Sequence, residues 1–201
     1  MITNNLVPMV ITNEGKQERA MDIYSCLLKE RIIMLQGDVD KTMASLITSQ
    51  LLFLESQGDA PISLYINSNG GSVYDGLNIH SVMRYIKPPV HTICCGMAAS
   101  MGAFLLSAGD KRYALPDSTI MIHQVLSSTG TKQATDIEIH MRETMRLKEK
   151  LTKYLAEYCK KSYQEVYDAC ERDNYMSAEM ALEFNLIDEI IATRKEIPPV
   201  V

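Results

Sequence analysis

The sequence predicts an α/β fold in which helices cover both faces of a mostly parallel β-sheet. Short, nearly continuous apolar runs alternate with segments whose apolar residues recur every three or four positions. The first pattern is typical of strands buried on both faces, and the second of amphipathic helices. The 201 residues suit one domain, because roughly 100–200 residues make a domain.

The first half of the chain supplies this alternation. In chain order we predict a mobile polar loop at 12–19, a helix at 21–29, a strand at 32–35, a helix capped by Asp38 that ends before Gly58, a strand at 62–67, a helix at 73–86, a strand at 90–95 and a buried helix at 98–108. Strands that alternate with helices in this way form parallel sheets.

The second half departs from this pattern. Two short strands are predicted at 111–115 and 119–122, followed by one helix at 131–160. That helix would be about 40 Å long at 1.5 Å per residue, which is longer than a domain of this size needs. Its apolar stripe therefore predicts self-association, although packing within the chain's own core is the alternative.

Composition excludes several classes of protein. The net charge of −5 argues against a nucleic-acid-binding surface. No apolar run approaches the roughly 18 residues of a membrane span. Five cysteines without a C-x-x-C pair predict reduced, mostly buried thiols. No secretory signal is visible at the start of the sequence, so we expect a cytoplasmic protein.

Three local patterns could carry chemistry. Gly70-Gly71 leaves a predicted strand and enters a helix, where backbone N–H groups can bind an anionic atom; a plain turn is the alternative. Ser100 lies at the next such junction, as a nucleophile or as an ordinary N-cap. His123 ends an apolar strand, as a catalytic base or as a core histidine.

Nucleophilic catalysis needs a hydroxyl, a base and a third group that orients the base. Ser100 and His123 could supply the first two. Spacing alone does not rank the candidates for the third, among which Asp173 lies in a predicted loop. The four histidines are scattered and lack a neighbouring thiolate cluster, so we expect no metal site.

Motifs along nearly the whole chain resemble the proteolytic subunit of the ATP-dependent Clp protease, ClpP, of peptidase family S14. They follow in that family's order: Leu6–Val10, Asp22–Ser25, Leu28–Arg31, Tyr65–Ser68, Ala98–Leu106, Met121–Gln124, Ala134–Ile139 and Glu171–Asp173. So many motifs in one order make the resemblance highly specific.

The resemblance implies a serine endopeptidase without a cofactor or metal. Ser100 would be the nucleophile, His123 the general base and then acid, and Asp173 the group that holds the imidazole. The N–H groups of Gly71 and Met101 would form the oxyanion hole.

The resemblance also implies a crotonase-like (ClpP-like) fold with a protruding handle of one strand and one long helix. Residues 1–19 would form an N-terminal segment and axial loop, 20–122 the first part of the head, 123–160 the handle, and 161–201 the return to the head and a C-terminal tail. Val125 and Leu126 would line the strand that pairs with substrate.

The partners implied are further copies of the chain and an ATP-driven unfoldase. Seven-membered rings would stack into a 14-mer, with Glu171 and Arg172 at the contact between rings. A hexameric unfoldase of the AAA+ type would dock on the ring and deliver unfolded polypeptides. The expected docking residues are Leu51, Tyr65, Tyr85, Tyr113 and Ile191.

Several residues depart from the family pattern. Asn69 replaces the usual proline before the two glycines; asparagine tolerates the left-handed conformation, so the turn should survive. Ser63 replaces a docking tyrosine. After Gln124 the usual Pro-Leu-Gly-Gly is Val125-Leu126-Ser127-Ser128, which should stiffen the substrate strand. Asn185 replaces a glycine at a predicted helix end.

Two other functions stay open. A crotonase-type acyl-CoA enzyme would share the fold without requiring Ser100, His123 and Asp173. A non-catalytic or regulatory ring subunit would share the assembly without turnover of its own.

Overall fold

A computed structural model of the chain describes residues 7–14 and 17–194. The strands, in chain order, are β1 (Met9–Glu14), β2 (Gln17–Asp22), β3 (Ile32–Val39), β4 (Ile62–Gly71), β5 (Val90–Ala99), β6 (Lys111–Ala114), β7 (Thr119–Ile122), β8 (Asn174–Ser177) and β9 (Glu189–Ile190). The helices are α1 (Ile23–Lys29), α2 (Lys41–Ser56), α3 (Val73–Tyr85), α4 (Met101–Ser107), α5 (Ala134–Cys159), α6 (Tyr163–Ala169) and α7 (Ala178–Glu183).

The seven strands from β3 to β9 form one sheet that is parallel except at β8. Its main path runs β3-β4-β5-β6-β9, and β7 pairs with β5 and with β8. Ile33, Leu35, Leu64 and Ile66 of the first two strands of that path are fully buried. Helix α4 is buried over its whole length. The predicted class, a mostly parallel sheet flanked by helices, is confirmed.

The loop predicted at 12–19 is wrong for the residues that the structure describes there, 12–14 and 17–19. Strands β1 and β2 pair as an antiparallel hairpin, from Met9 opposite Asp22 to Glu14 opposite Gln17. Polar residues can form such a ribbon because ladder hydrogen bonds use only the backbone. The predicted N-terminal segment falls partly outside the described residues, as does the end of the predicted C-terminal tail.

Three predicted strands end later than expected, because strand pairing continues past the apolar runs, and the helices after two of them, β3 and β5, begin later. Strand β3 pairs with β4 as far as Val39 opposite Gly71. Asp38 is therefore in the strand, and Asp40 caps α2 by accepting a hydrogen bond from the N–H of Met43 at 2.8 Å. Strands β4 and β5 likewise extend through their glycines, so that α4 begins at Met101 rather than at residue 98.

Helix α5 accounts for the long helix predicted at 131–160, and its two halves differ. Leu147, Leu155 and Cys159 in its C-terminal half are buried. In its N-terminal half, Ile139 and Met141 are exposed. Packing within the chain thus covers only the second half of the apolar stripe. No helix in the described ranges is long and apolar enough to cross a membrane.

The chain's return from α5 to the sheet depends on the buried Arg112. Its guanidinium donates to the Asp188 carboxylate and, at 2.9 Å each, to the carbonyl oxygens of Tyr158 and Asn185. A buried charge needs such partners to offset its lost hydration. Asn185 has a φ of 63° just beyond α7, so the asparagine that replaces the family's glycine adopts the left-handed conformation at this helix end.

His80 of α3 fills the space between that helix and α5. The Tyr158 hydroxyl lies 2.5 Å from its Nε2, and the Phe104 and Tyr154 ring centroids lie 5.1 and 4.9 Å from its own. Burial lowers the pKa of His80 to about 4, and the positive charges of Arg84 and Lys150 act in the same direction.

The free energy of unfolding should therefore fall as the pH falls from about 6.5 toward 4, because in this range the unfolded chain binds a proton at His80 and the folded chain does not. His80→Gln removes this titrating group. Between about pH 7.5 and pH 5, the free energy of unfolding should therefore fall less in the variant than in the parent, by up to about 2 kcal/mol. Chemical denaturation of both proteins at the two pH values measures this. Equal losses would show that His80 does not control acid stability.

Candidate active site

Ser100 occupies a strained turn between β5 and α4. Its φ of 55° and ψ of −118° are unusual for a residue other than glycine. Its side chain makes no capping hydrogen bond to α4, so the ordinary N-cap interpretation fails. A sharp, strained strand-to-helix turn that presents a serine hydroxyl is the geometry of a nucleophile elbow. The sequence did not reveal it, since Ala98 stands where that motif has glycine.

The pairing of β5 with β7 brings His123 to Ser100. The two strands are parallel, with Ala99 opposite Met121, and the Ser100 N–H donates to the Met121 carbonyl at 2.8 Å. His123 follows β7 directly. Its Nε2 lies 2.7 Å from the Ser100 Oγ, and only 10% of its side chain is exposed.

The pairing of β7 with β8 brings Asp173 to the other side of the imidazole. These strands are antiparallel, with Ile122 opposite Asn174, so the end of β7 meets the start of β8. The Asp173 Oδ1 lies 3.4 Å from the His123 Nδ1, at ion-pair distance rather than hydrogen-bond distance. The Asp173 side chain is 59% exposed. The structure thus brings all three predicted residues together.

Gly70 and Gly71 lie beside this turn. A Cβ on Gly70 would stand 2.7 Å from the Ser100 Cβ and 2.9 Å from the Met101 N. Both glycines have positive φ, whereas Asn69 does not. The turn therefore survives the replacement of proline, but not through a left-handed Asn69. The Ser68 hydroxyl supports it by accepting the Gly70 N–H at 3.0 Å.

A cavity of about 370 Å³ opens at these residues. Ser100, His123 and Asp173 line its polar side, together with both predicted oxyanion-hole residues, Gly71 and Met101. Its apolar lining includes Val73, Phe104, Ile122, Leu151 and Leu155. The cavity can therefore take an apolar side chain next to a polar reacting group.

The segment after His123 also lines the cavity, through Val125 and Leu126. It has no regular secondary structure up to residue 133, so the strand predicted for the handle is wrong: with no neighbouring strand to pair with among the described residues, this segment forms no backbone ladder. The Ser127 Oγ lies 2.7 Å from Nε2 of His140 on α5, and the Thr144 hydroxyl lies 3.1 Å from the same oxygen. A glycine at 127 would lack these contacts, which supports the predicted stiffening of the segment.

The five predicted docking residues do not form one surface. Tyr113 and Ile191 are buried together with Ile93 and the partly buried Tyr65. Tyr85 is 78% exposed on α3. Leu51 is fully buried in the main core, so its prediction as a surface contact is wrong: a helix turns its apolar stripe inward.

The predicted ring-contact residues differ in exposure. Arg172 is exposed and donates to the carbonyl oxygen of Glu171 at 2.9 Å. Glu171 is half-buried, and its carboxylate lies 3.4 Å from the Lys148 Nζ. Sequence reasoning missed Lys148, because a lysine on a long polar helix gives no signal of burial.

A serine, a histidine and an aspartate in contact at one end of a parallel sheet are the arrangement of a serine hydrolase. A family model described as Clp protease matches residues 15–194. The chain therefore belongs to the Clp protease family and is a ClpP-like serine protease. The resemblance seen in the sequence is confirmed.

We expect Gly70→Ala to lower turnover by about 10²-fold or more, because the added Cβ must displace Ser100 or the Met101 N–H. Gly37→Ala is the matched control. Gly37 has a similar φ of 89°, but its added Cβ would meet no atom within 4 Å. The rate at which a fluorophosphonate labels Ser100 is measured for the parent and for both variants. Equal rates would contradict this role of Gly70.

Ser127→Gly removes the hydroxyl that contacts His140 and Thr144. Because one hydrogen bond contributes about 1 kcal/mol, we expect the ratio of kcat/KM values between peptides of a panel to change by about fivefold relative to the parent. Ser128→Gly, at the exposed neighbour, should change them less. The combination with Val125→Pro restores the usual family sequence and should give the largest change. An unchanged profile in that triple variant would refute the predicted stiffening.

Proposed function

We propose that this chain is a serine endopeptidase that hydrolyses unfolded polypeptides through an acyl-enzyme on Ser100. The observation that carries the proposal is the 2.7 Å contact between the Ser100 Oγ and the His123 Nε2, with Asp173 on the opposite side of the ring. A hydroxyl becomes a nucleophile when an adjacent base removes its proton.

The steps follow from this geometry. His123 takes the Ser100 proton as Oγ attacks the scissile carbonyl carbon, and then gives that proton to the leaving amine as the C–N bond breaks. Water, deprotonated by His123, then attacks the ester carbon. The bond between that carbon and the Ser100 Oγ breaks, and His123 gives the proton to the Oγ. Asp173 stabilises the imidazolium that forms in each half of the reaction.

The N–H groups of Gly71 and Met101 are proposed to bind the oxyanion. The close approach of Gly70 to the Met101 N supports this, because it brings the two backbones together beside the nucleophile. Loss of one such donor typically costs about 10²–10³ in rate. The apolar lining of the cavity is proposed to bind the side chain next to the scissile bond.

Assembly into two stacked rings of seven is part of the proposal. The exposed Ile139 and Met141 in the N-terminal half of α5 support it, since contact with a second copy would bury them. We assign residues 123–160 to the handle between rings and 20–122 to the head, which residues 161–194 rejoin. Glu171 and Arg172 are proposed to contact the facing ring.

An ATP-driven unfoldase is the proposed partner. Two apolar features support it: the partly buried Tyr65, which packs against the buried Tyr113 and Ile191, and the exposed Tyr85 on α3. Leu52 and Phe53, unlike their neighbour Leu51, are exposed on α2 and are proposed as a further apolar contact.

We expect purified chain to hydrolyse a small fluorogenic peptide and to react with a fluorophosphonate at Ser100. Ser100→Ala should lose about 10⁴-fold or more of the turnover. Native mass measurement on the same sample should give a 14-mer.

Each competing function makes a different prediction for this experiment. A crotonase-type enzyme would leave Ser100 unlabelled, and its turnover would survive Ser100→Ala. A non-catalytic ring subunit would assemble but show no hydrolysis alone. Either result would overturn the peptidase proposal.

A further inference from the structure

Lys148 is a buried cation next to the candidate active site. It lies in the C-terminal half of α5, and only 11% of its side chain is exposed. Burying an ammonium costs free energy unless the group is paired and hydrogen-bonded. The partners of this ammonium therefore indicate why a lysine stands here rather than an apolar residue.

The ammonium has three partners from two other parts of the chain. It donates to the Gln124 Oε1 at 2.8 Å and lies 3.4 Å from the Glu171 Oε2. It also lies 4.2 Å from the centroid of the Tyr167 ring. Although burial acts to lower the pKa of Lys148, the contacts with Tyr167 and Glu171 raise it above its usual value. The group stays charged.

Gln124 and Glu171 are also joined directly. The Gln124 side-chain amide donates to the Glu171 carbonyl oxygen at 2.9 Å. Lys148, Gln124 and Glu171 thus form a closed polar triangle. Gln124 directly follows His123, and Glu171 precedes Asp173 by two residues. The triangle fixes the two backbone segments from which the imidazole and the carboxylate project.

Asp173 has little else to hold it. In the part of the chain that the structure describes, the one polar contact of its carboxylate is with His123, and that contact is long, at 3.4 Å. An exposed carboxylate at the end of a loop is positioned by its backbone. The position of that backbone relative to His123 depends on what joins the loop to the segment after β7.

We propose that Lys148 is a positioning residue of the active site: through Gln124 and Glu171 it sets the separation of His123 and Asp173. The inference rests on the proposed peptidase function. Among the described residues, no hydrogen bond or ion pair joins Lys148 to Ser100, His123 or Asp173, so its effect on them passes through Gln124 and Glu171. Lys148 also lines the cavity, and the split between kcat and KM therefore separates a positioning role from a contact with substrate. A rise in KM with a parent-like kcat would overturn the inference.

The test compares Lys148→Met with the parent in peptide hydrolysis and in fluorophosphonate labelling of Ser100. We expect kcat to fall by about 10²-fold, the typical cost of a 1 Å misplacement, while KM changes by less than about twofold. Labelling should slow in parallel with kcat. Lys148→Arg, which restores the cation, should recover most of the lost rate.

Lys153→Met is the matched control. Lys153 is an exposed lysine on the same helix, paired with Glu149. Its removal changes the charge of α5 equally without touching the triangle, and it should leave kcat at the parent value. Native mass and thermal unfolding of every variant identify any loss of assembly or stability, so that rates are compared per folded site.

If Lys148 is purely structural, Lys148→Met will unfold at a lower temperature with no change in kcat per folded site. That result would overturn this inference but not the proposed peptidase function. Should Lys148→Met fail to fold, Gln124→Met breaks the same triangle from a half-buried position, and parent-like kcat there would overturn it equally. A parent chain with unlabelled Ser100 would instead overturn the proposed function itself.

Discussion

The active site depends on the register of three neighbouring strands. β5 ends one residue before the serine, β7 ends one residue before the histidine, and β8 begins one residue after the aspartate. Two pairings, Ala99 opposite Met121 and Ile122 opposite Asn174, place those ends together. Side chains alternate between the faces of a strand, so a shift of one residue in the first pairing would turn the imidazole away from the hydroxyl. A shift of one residue in the second pairing would turn the carboxylate of Asp173 away from the imidazole. The antiparallel entry of β8 brings the aspartate to the edge at which the parallel strands end.

The strain at Ser100 requires support from its surroundings. A residue in such a sparsely populated backbone region costs about 1–3 kcal/mol and persists where neighbouring structure fixes it. Here the Ser100 N–H is bonded to Met121, its carbonyl accepts the N–H of Phe104, and the helix that follows is wholly buried. Gly70 allows the neighbouring strand to approach without a clash. Backbone packing thus holds the hydroxyl in place before any substrate binds.

Helix α5 combines two environments in one element. Its second half belongs to the core and carries the buried Lys148, while its first half exposes apolar side chains and contacts the segment after His123 through His140 and Ser127. The spacing of the apolar residues along the sequence is similar in both halves. Sequence periodicity therefore predicted the helix but could not say which half packs within the chain. That difference depends on where the helix leaves the sheet, which is a property of the tertiary fold.

The sequence by itself predicted the α/β class and the long helix, because apolar periodicity is a property of neighbouring residues. Local patterns singled out Ser100 and His123, whereas Asp173 was selected among the candidates by the resemblance to ClpP. The spacing of apolar residues on α2 also indicated that Leu51 faces inward. The sequence could not give the strained turn at Ser100 or the pairing of β1 with β2. Nor could it show that Lys148 is buried against Gln124 and Glu171. Those features arise from contacts between residues far apart in the chain, and only the folded backbone decides which of them meet.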